Sequence, residues 1–419
     1  MNKDQLVSFY RQELNEHFIP YWEDKIDMEY GGVFSCISNT QDEVVSTRKY
    51  IWSQGRFLWM AARLLQTADR YGLQTGEKWR EGLEKTYQLL RSHAKMDNGH
   101  IVNAVERNGA KIEEELDVSI FADCFYILGM NAYAEYNNSW EAFDEALAVY
   151  QLVAERIEKW DFKSDPYPIP EGFESHSIPM ILINVAEELY QASKLFGNTE
   201  AERLTKNIKQ YFTKIVLEHA QGERIVEMLP ADEKLQSALI ARHVNPGHTL
   251  ECIWFLKDSL HHFEPVEAKK YSSVLEQLAM AALEQGWDKE YGGLLRFVDC
   301  EGGKPSGTLI GTPLEQLIQD TWDTKLWWPH SEALYTTLMF TLEEGERKET
   351  FAGWYNTLHE YVFSVFPAAS GMEWTQIRNR QGDPLSKVVA LPVKDPFHII
   401  RNFLLTLRLL AGDTVWRVY

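Results

Sequence analysis

The sequence predicts an all-α protein, an (α/α)6 barrel with six inner and six outer helices and short β-hairpins gathered over one end. Three observations predict it. Apolar positions recur at helical spacing in about twelve segments of the 419-residue chain. The joins alternate: mostly short after the even-numbered segments, longer and carrying strand-like runs before them. The even-numbered segments are also the more apolar on all sides, as in Ile120-Phe121-Ala122-Asp123-Cys124-Phe125-Tyr126-Ile127-Leu128. A helix apolar all round is buried, whereas its amphipathic neighbour faces water.

Taken in order, the expected helices lie near 3–18, 51–72, 75–95, 116–137, 139–160, 176–196, 198–218, 247–263, 265–286, 329–343, 347–366 and 396–411. No Pro/Gly/Ser-rich linker divides them, so one domain over 1–419 is expected. Expected hairpins include Gly31–Ile37, Gly99–Val105, Gly292–Val298 and the stretch after Met372. Glu-Tyr-Gly-Gly opens two of them, at 29–32 and 290–293, a faint internal repeat. In the tenth segment Pro329 suits a first helical position, which would put His330 and Glu332 in the first turn.

Composition narrows the function. Hydrophobic residues make up 45% of the chain, with 14 Trp, 19 Tyr and 20 Phe, enough for a large core and a carbohydrate-sized pocket. A formal charge of -20 argues against nucleic acid or anionic membrane as partner. The start has no apolar signal core, no long apolar run follows, and Cys36, Cys124, Cys252 and Cys300 are scattered. A cytoplasmic protein with reduced thiols is the expectation. Oligomeric state stays open, a homodimer included.

Polar and aromatic residues cluster at the starts of the even-numbered helices. Trp52, Gln54 and Arg56 begin the second; His176 and Pro179 the sixth; Pro246, Gly247, His248 and Glu251 the eighth. Pro329, His330 and Glu332 begin the tenth, and Pro396, His398 and Arg401 the twelfth. If the inner helices run parallel, these starts meet at one end. Six helix N-termini there favour an oxyanion or many hydroxyl oxygens. Trp327 and Trp328 offer flat faces to a sugar. A histidine at a helix N-terminus tends to stay neutral, hence basic. His248 and His398 would reach the cavity from different helices, as two bases on opposite faces of one carbon. Arg56 is a natural partner for the resulting enolate. Glu251 and Glu332 could orient a histidine, hold a hydroxyl, or help open a sugar ring.

The bland alternatives are an i,i+3 pair for His248 with Glu251 and a core histidine for His398. No HExxH or recognised zinc spacing supports a catalytic metal. Gly302–Thr308 lacks phosphate-loop spacing, and GxSxG and GxGxxG are absent. Asp123, Glu251 and Glu332 keep glycoside hydrolysis open as a paired-carboxylate reaction.

These stretches carry a family resemblance. Lys49–Trp59, Ser119–Met130, Asn245–Glu251 with Trp254-Phe255-Leu256, Lys325–Ala333, and Phe397-His398 with Arg401 resemble the N-acylglucosamine 2-epimerase family, whose animal members are also called renin-binding proteins. The resemblance implies an (α/α)6 barrel interconverting N-acetyl-D-glucosamine and N-acetyl-D-mannosamine. It implies catalytic roles for Arg56, His248, Glu332 and His398. Substrate binding would fall to Gln54, Glu251, Trp254, Lys325, Trp327, Trp328, His330 and Arg401. No cofactor is implied as required, though some members respond to nucleotide, so a nucleotide effector stays open. Cellobiose 2-epimerases usually carry Gln at the position of His330 and a histidine near Met180, which sets this chain nearer the N-acyl branch. Lys394-Asp395-Pro396 departs from the Lys-Gly-Cys of the animal proteins. Alternatives carried forward are an aldose–ketose isomerase, an epimerase of another free sugar, a glycoside hydrolase and a non-catalytic binding protein.

Overall fold

The computed structural model describes residues 2–368, 372–386, 394–414 and 416. Helix α1 (Lys3–Glu13) runs through a π turn, Leu14–Phe18, into α2 (Ile19–Asp24). Five helix pairs follow: α3 (Ile51–Tyr71) with α4 (Glu77–His93), α5 (Ile120–Asn137) with α6 (Trp140–Glu158), and α7 (Ser177–Phe196) with α8 (Ala201–Lys214). After the short α9 (Leu239–Arg242) come α10 (Pro246–Asp258) with α11 (Pro265–Gly286). After α12 (Pro313–Thr321) come α13 (Trp327–Leu342) with α14 (Lys348–Val365), and α15 (Phe397–Ala411) closes the set.

Helices α3, α5, α7, α10, α13 and α15 each pack on the next, and α15 returns to α3, so the inner ring closes. Each inner helix is covered by the outer helix that follows it, while α1 covers α15. The chain's first helix therefore completes the shell around its last. Hydrophobic pattern decides the layer. Helix α5 buries nearly every residue from Ile120 to Glu135, whereas α4 buries only a stripe including Trp79, Leu83, Tyr87 and Leu90. Helices α3 and α5 cross with their backbones touching: a Cβ on Gly55 would lie 2.2 Å from the Phe125 carbonyl oxygen.

The sequence did not predict α9 or α12. A Pro at its first turn and a Thr312/Glu315 capping box, both legible locally, start α12. Helix α13 begins at Trp327, so Pro329 is its third residue and Glu332 sits deeper than expected. The rim also differs from the expected local hairpins. Its two-residue strands mostly pair across connectors: Lys49–Tyr50 with Ala104–Val105, His243–Val244 with Val298–Asp299, and Lys325–Leu326 with Ile377–Arg378. Each pairing ties the backbone just ahead of an inner helix to a distant loop.

The two Glu-Tyr-Gly-Gly stretches build the same device twice. Gly31, Gly32, Gly292 and Gly293 all have positive φ, which only glycine adopts cheaply. Asp27 caps the first turn and Asp288 the second, and both are almost fully buried. Lys49 Nζ donates to Asp27 Oδ2 at 2.9 Å and to the Gly31 carbonyl; Lys325 Nζ holds Asp288 at 3.3 Å and the Gly292 carbonyl. Five residues past each lysine, Gln54 Oε1 accepts the Val33 N–H and His330 Nε2 accepts the Leu294 N–H, both at 2.8 Å. Among the described residues no helix is long and apolar enough to cross a membrane, and the four cysteines are free thiols.

Candidate active site

All six inner helices bring their first turns to one cavity of about 370 Å³. Trp52 and Arg56 come from α3, Phe121 and Phe125 from α5, Met180 and Ile181 from α7. His248 and Glu251 come from α10, Trp327 and Trp328 from α13, and His398 and Arg401 from α15. The parallel inner ring expected from sequence is what gathers them. Locally, Asn245 caps α10 by accepting the His248 N–H at 3.2 Å, and Pro246 occupies its first helical position. Gly247 lets α13 come close: a Cβ there would meet Trp328 at 2.8 Å and Pro329 at 2.7 Å.

His248 and His398 both pack on the Trp328 indole, with ring centroids 5.2 and 5.5 Å away. Each has its Nδ1 held by a buried carboxylate. His248 Nδ1 lies 3.0 Å from Glu227 Oε2, and His398 Nδ1 lies 2.7 Å from Glu332 Oε1. With Nδ1–H donating to a carboxylate, Nε2 is left as the proton-accepting nitrogen at the cavity. Burial disfavours the His248 imidazolium, but the Glu227 carboxylate outweighs it and raises the pKa above the ordinary histidine value. The neutral-by-default histidine expected from its helix position is thus corrected: a carboxylate in direct contact outweighs the partial charges of a helix end.

Below the cavity, Arg401 Nη2 donates to Glu332 Oε1 at 2.6 Å and to Glu251 Oε1, while Trp254 Nε1–H donates to Glu332 Oε2 at 2.8 Å. Burial would raise the Glu332 pKa, but Arg401, His398 and Trp254 hold it well below the usual carboxylate range. Glu332 is fully buried and outside the cavity wall, as is Trp254. Of the three roles left open for Glu332, its contact with His398 and its distance from the cavity wall favour orienting that histidine over ring opening. Arg56 is tied through Nη1 to Asp395 and lies 4.0 Å from the Phe125 ring; its Nε–H has no partner among the described residues.

Like Trp254, three more expected substrate-binding residues lie outside this cavity. Gln54, Lys325 and His330 are fully buried and hold the twin rim turns. His330 uses both nitrogens, Nδ1 on the Leu326 carbonyl at 2.6 Å and Nε2 on the Leu294 amide, and burial pulls its pKa down to about 3. A backbone claim on each side chain removes it from the cavity. Glu227, Asp395 and Arg296 were missed. Glu227 stands on a connector with no local motif. Asp395 was visible only as a departure from the animal loop. Arg296 lines the cavity with no carboxylate in ion-pair range among the described residues, and burial lowers its pKa to about 10. The Glu251, Glu332 and His398 oxygens and nitrogen lie close enough to hold a cation, but Arg401 already fills their midst with positive charge.

A family model described as N-acylglucosamine 2-epimerase matches residues 31–401. The chain belongs to that family. It is 29% identical over 400 residues to the N-acylglucosamine 2-epimerase of Bos taurus, covering 92% of this chain and 87% of that one. Its fold matches the cellobiose 2-epimerase structure from Bacillus thermoamylovorans with a TM-score of 0.76 at 16% identity, covering 97% and 100% of the two chains. A D-mannose isomerase structure matches with a TM-score of 0.71 at 16% identity, covering 97% of each. As a member of the N-acylglucosamine 2-epimerase family the chain is a carbohydrate epimerase, and the cavity at the inner-helix N-termini is where the family stretches converge.

Proposed function

We propose that the protein interconverts N-acetyl-D-glucosamine and N-acetyl-D-mannosamine by proton transfer at C2, with His248 and His398 as the two bases. One observation carries the reading: two imidazoles on separate helices line one cavity, each with Nδ1 anchored on its own carboxylate and Nε2 available.

The steps follow from the groups present. The pyranose lies against Trp327 and Trp328, its C–H faces on the rings. Ring opening frees the C1 aldehyde, and its acid–base help falls to an imidazole because Glu332 is sealed off. The aldehyde makes the C2 proton acidic. One Nε2 removes that proton, leaving an enolate whose oxygen takes donors from Arg56 and from inner-helix N-termini. The other imidazole returns a proton to the opposite face, inverting C2, and the ring closes. Arg296 supplies a free donor for the acyl oxygen, and Met180 and Ile181 supply an apolar wall for the acyl methyl. No step requires a cofactor.

The test is proton NMR in heavy water with a panel of free sugars. The expected result is appearance of the C2 epimer of the N-acetyl sugar with deuterium at C2. Mannose converted to fructose, with the N-acetyl sugars untouched, would replace this reading with an aldose–ketose isomerase. Absence of C2 exchange in every sugar would end it.

A further inference from the structure

A second cavity, of about 390 Å³, opens at the other end of the barrel, lined by the later turns of the inner helices. Glu187 of α7 and His261 line it, and Glu187 also meets His262; both histidines lie on the short 3-10 turn Ser259–His262 that follows α10. We infer that Glu187, His261 and His262 form a binding site for a divalent transition cation of the zinc class.

The geometry converges. His262 Nε2 lies 2.8 Å and His261 Nε2 3.5 Å from the two oxygens of Glu187, and the imidazole centroids are 4.0 Å apart. All three donor atoms lie within 4.8 Å of one another, so small rotations bring them around one ion. The remaining ring nitrogens are held from outside. His261 Nδ1 donates to the Asp258 carbonyl at 2.7 Å, and His262 Nδ1 faces Thr205 Oγ1 at 3.4 Å. Such outer hydrogen bonds fix ring orientation and direct Nε2 at the shared point, as around metal-ligating histidines. Gln191 in turn holds Glu187 Oε1 at 2.8 Å.

Ligand type then chooses the ion. Two imidazoles and one carboxylate suit zinc and its neighbours; magnesium and calcium prefer all-oxygen sets. Three protein ligands leave a fourth position open to water or a ligand. The site bridges neighbouring inner helices that carry Met180 and His248 at their opposite ends. It shares no residue with the epimerase machinery.

The test uses chelator-stripped, full-length protein titrated with zinc chloride, alongside cobalt uptake followed by visible absorption. Wild type should bind one zinc tightly, and cobalt should show the intense bands of a low-coordinate site. His261→Ala, at a half-exposed residue, should weaken zinc at least about tenfold and abolish the cobalt bands. Glu187→Gln should do the same. Both variants should keep zinc-free epimerase activity. Zinc uptake equal to wild type in both variants, which would place the ion on cysteines or in the active site, overturns the assignment. So does wild-type protein that binds no zinc.

Discussion

Glu332 Oε1 lies 2.7 Å from His398 Nδ1, with the glutamate wholly buried and the histidine at the cavity wall. The carboxylate fixes the ring and its tautomer without touching a substrate. Glu332→Gln should therefore lower kcat by about a hundredfold or more while moving KM little. Steady-state kinetics separates the two. An equal rise in KM with kcat retained would mean that Glu332 contributes to binding instead.

In the proposed scheme His248 and His398 divide one proton transfer between two faces. His248→Asn and His398→Asn should each fold and each lose epimerisation. Each should still wash deuterium into C2 of one epimer, and the two variants should favour opposite epimers. Substantial turnover in either variant would refute the two-base scheme.

In the proposed scheme Glu227 sets the pH at which His248 can act as a base. The carboxylate raises the His248 pKa, so falling pH protonates His248 through that raised value and activity is lost on the acidic side. With Glu227→Gln the largest raising partner is gone, and burial, which lowers the pKa, is opposed only by the weaker pull of Glu251. The acidic limb of kcat/KM should move to lower pH, with reduced amplitude because the ring is less well held. An unmoved or higher limb would contradict the assignment.

Arg296 is the cavity's unpaired cation, its guanidinium bonded only to Thr321 Oγ1 at 3.1 Å among the described residues. Arg296→Met should raise KM for an N-acetyl sugar about tenfold, the scale of one hydrogen bond from a charged donor. Stability should hold, because no buried carboxylate is left behind. An unchanged KM would remove Arg296 from the site.

Lys49 and Lys325 hold the twin rim turns from full burial. Lys49→Met removes one of two cationic partners of Asp27, which keeps Arg107 at 2.9 and 3.0 Å, so the cost falls below the about 3–5 kcal/mol of a buried pair broken from one side. Denaturant unfolding should show a measurable loss below that figure, with Lys325→Met behaving alike at Asp288, which keeps Arg380. A loss of catalysis at unchanged stability would instead return Lys325 to substrate binding.

Much of this was legible in one dimension. Apolar periodicity gave the alternation of buried and half-exposed helices, and the connector lengths gave their pairing. The crowding of His248, His398, Arg56 and the tryptophans at helix starts located the cavity before any coordinates. Side-chain allegiance was less legible. Gln54, Lys325 and His330 occupy helix-start positions like those of the site residues, yet each answers a backbone group of a rim loop. The repeated Glu-Tyr-Gly-Gly marked those loops, but the spacing of each lysine and its amide-accepting residue had meaning only once the turns were placed.

What the sequence by itself determined is the barrel, the family stretches and the end of the barrel where chemistry sits, because these depend on local periodicity and on residue type. Tertiary structure alone decided which carboxylate serves which base. Glu227 comes to His248 from a connector and Glu332 to His398 from the neighbouring inner helix. Orientation and pKa depend on separations of a few ångströms between atoms far apart along the chain, and ring closure of the barrel is what sets them.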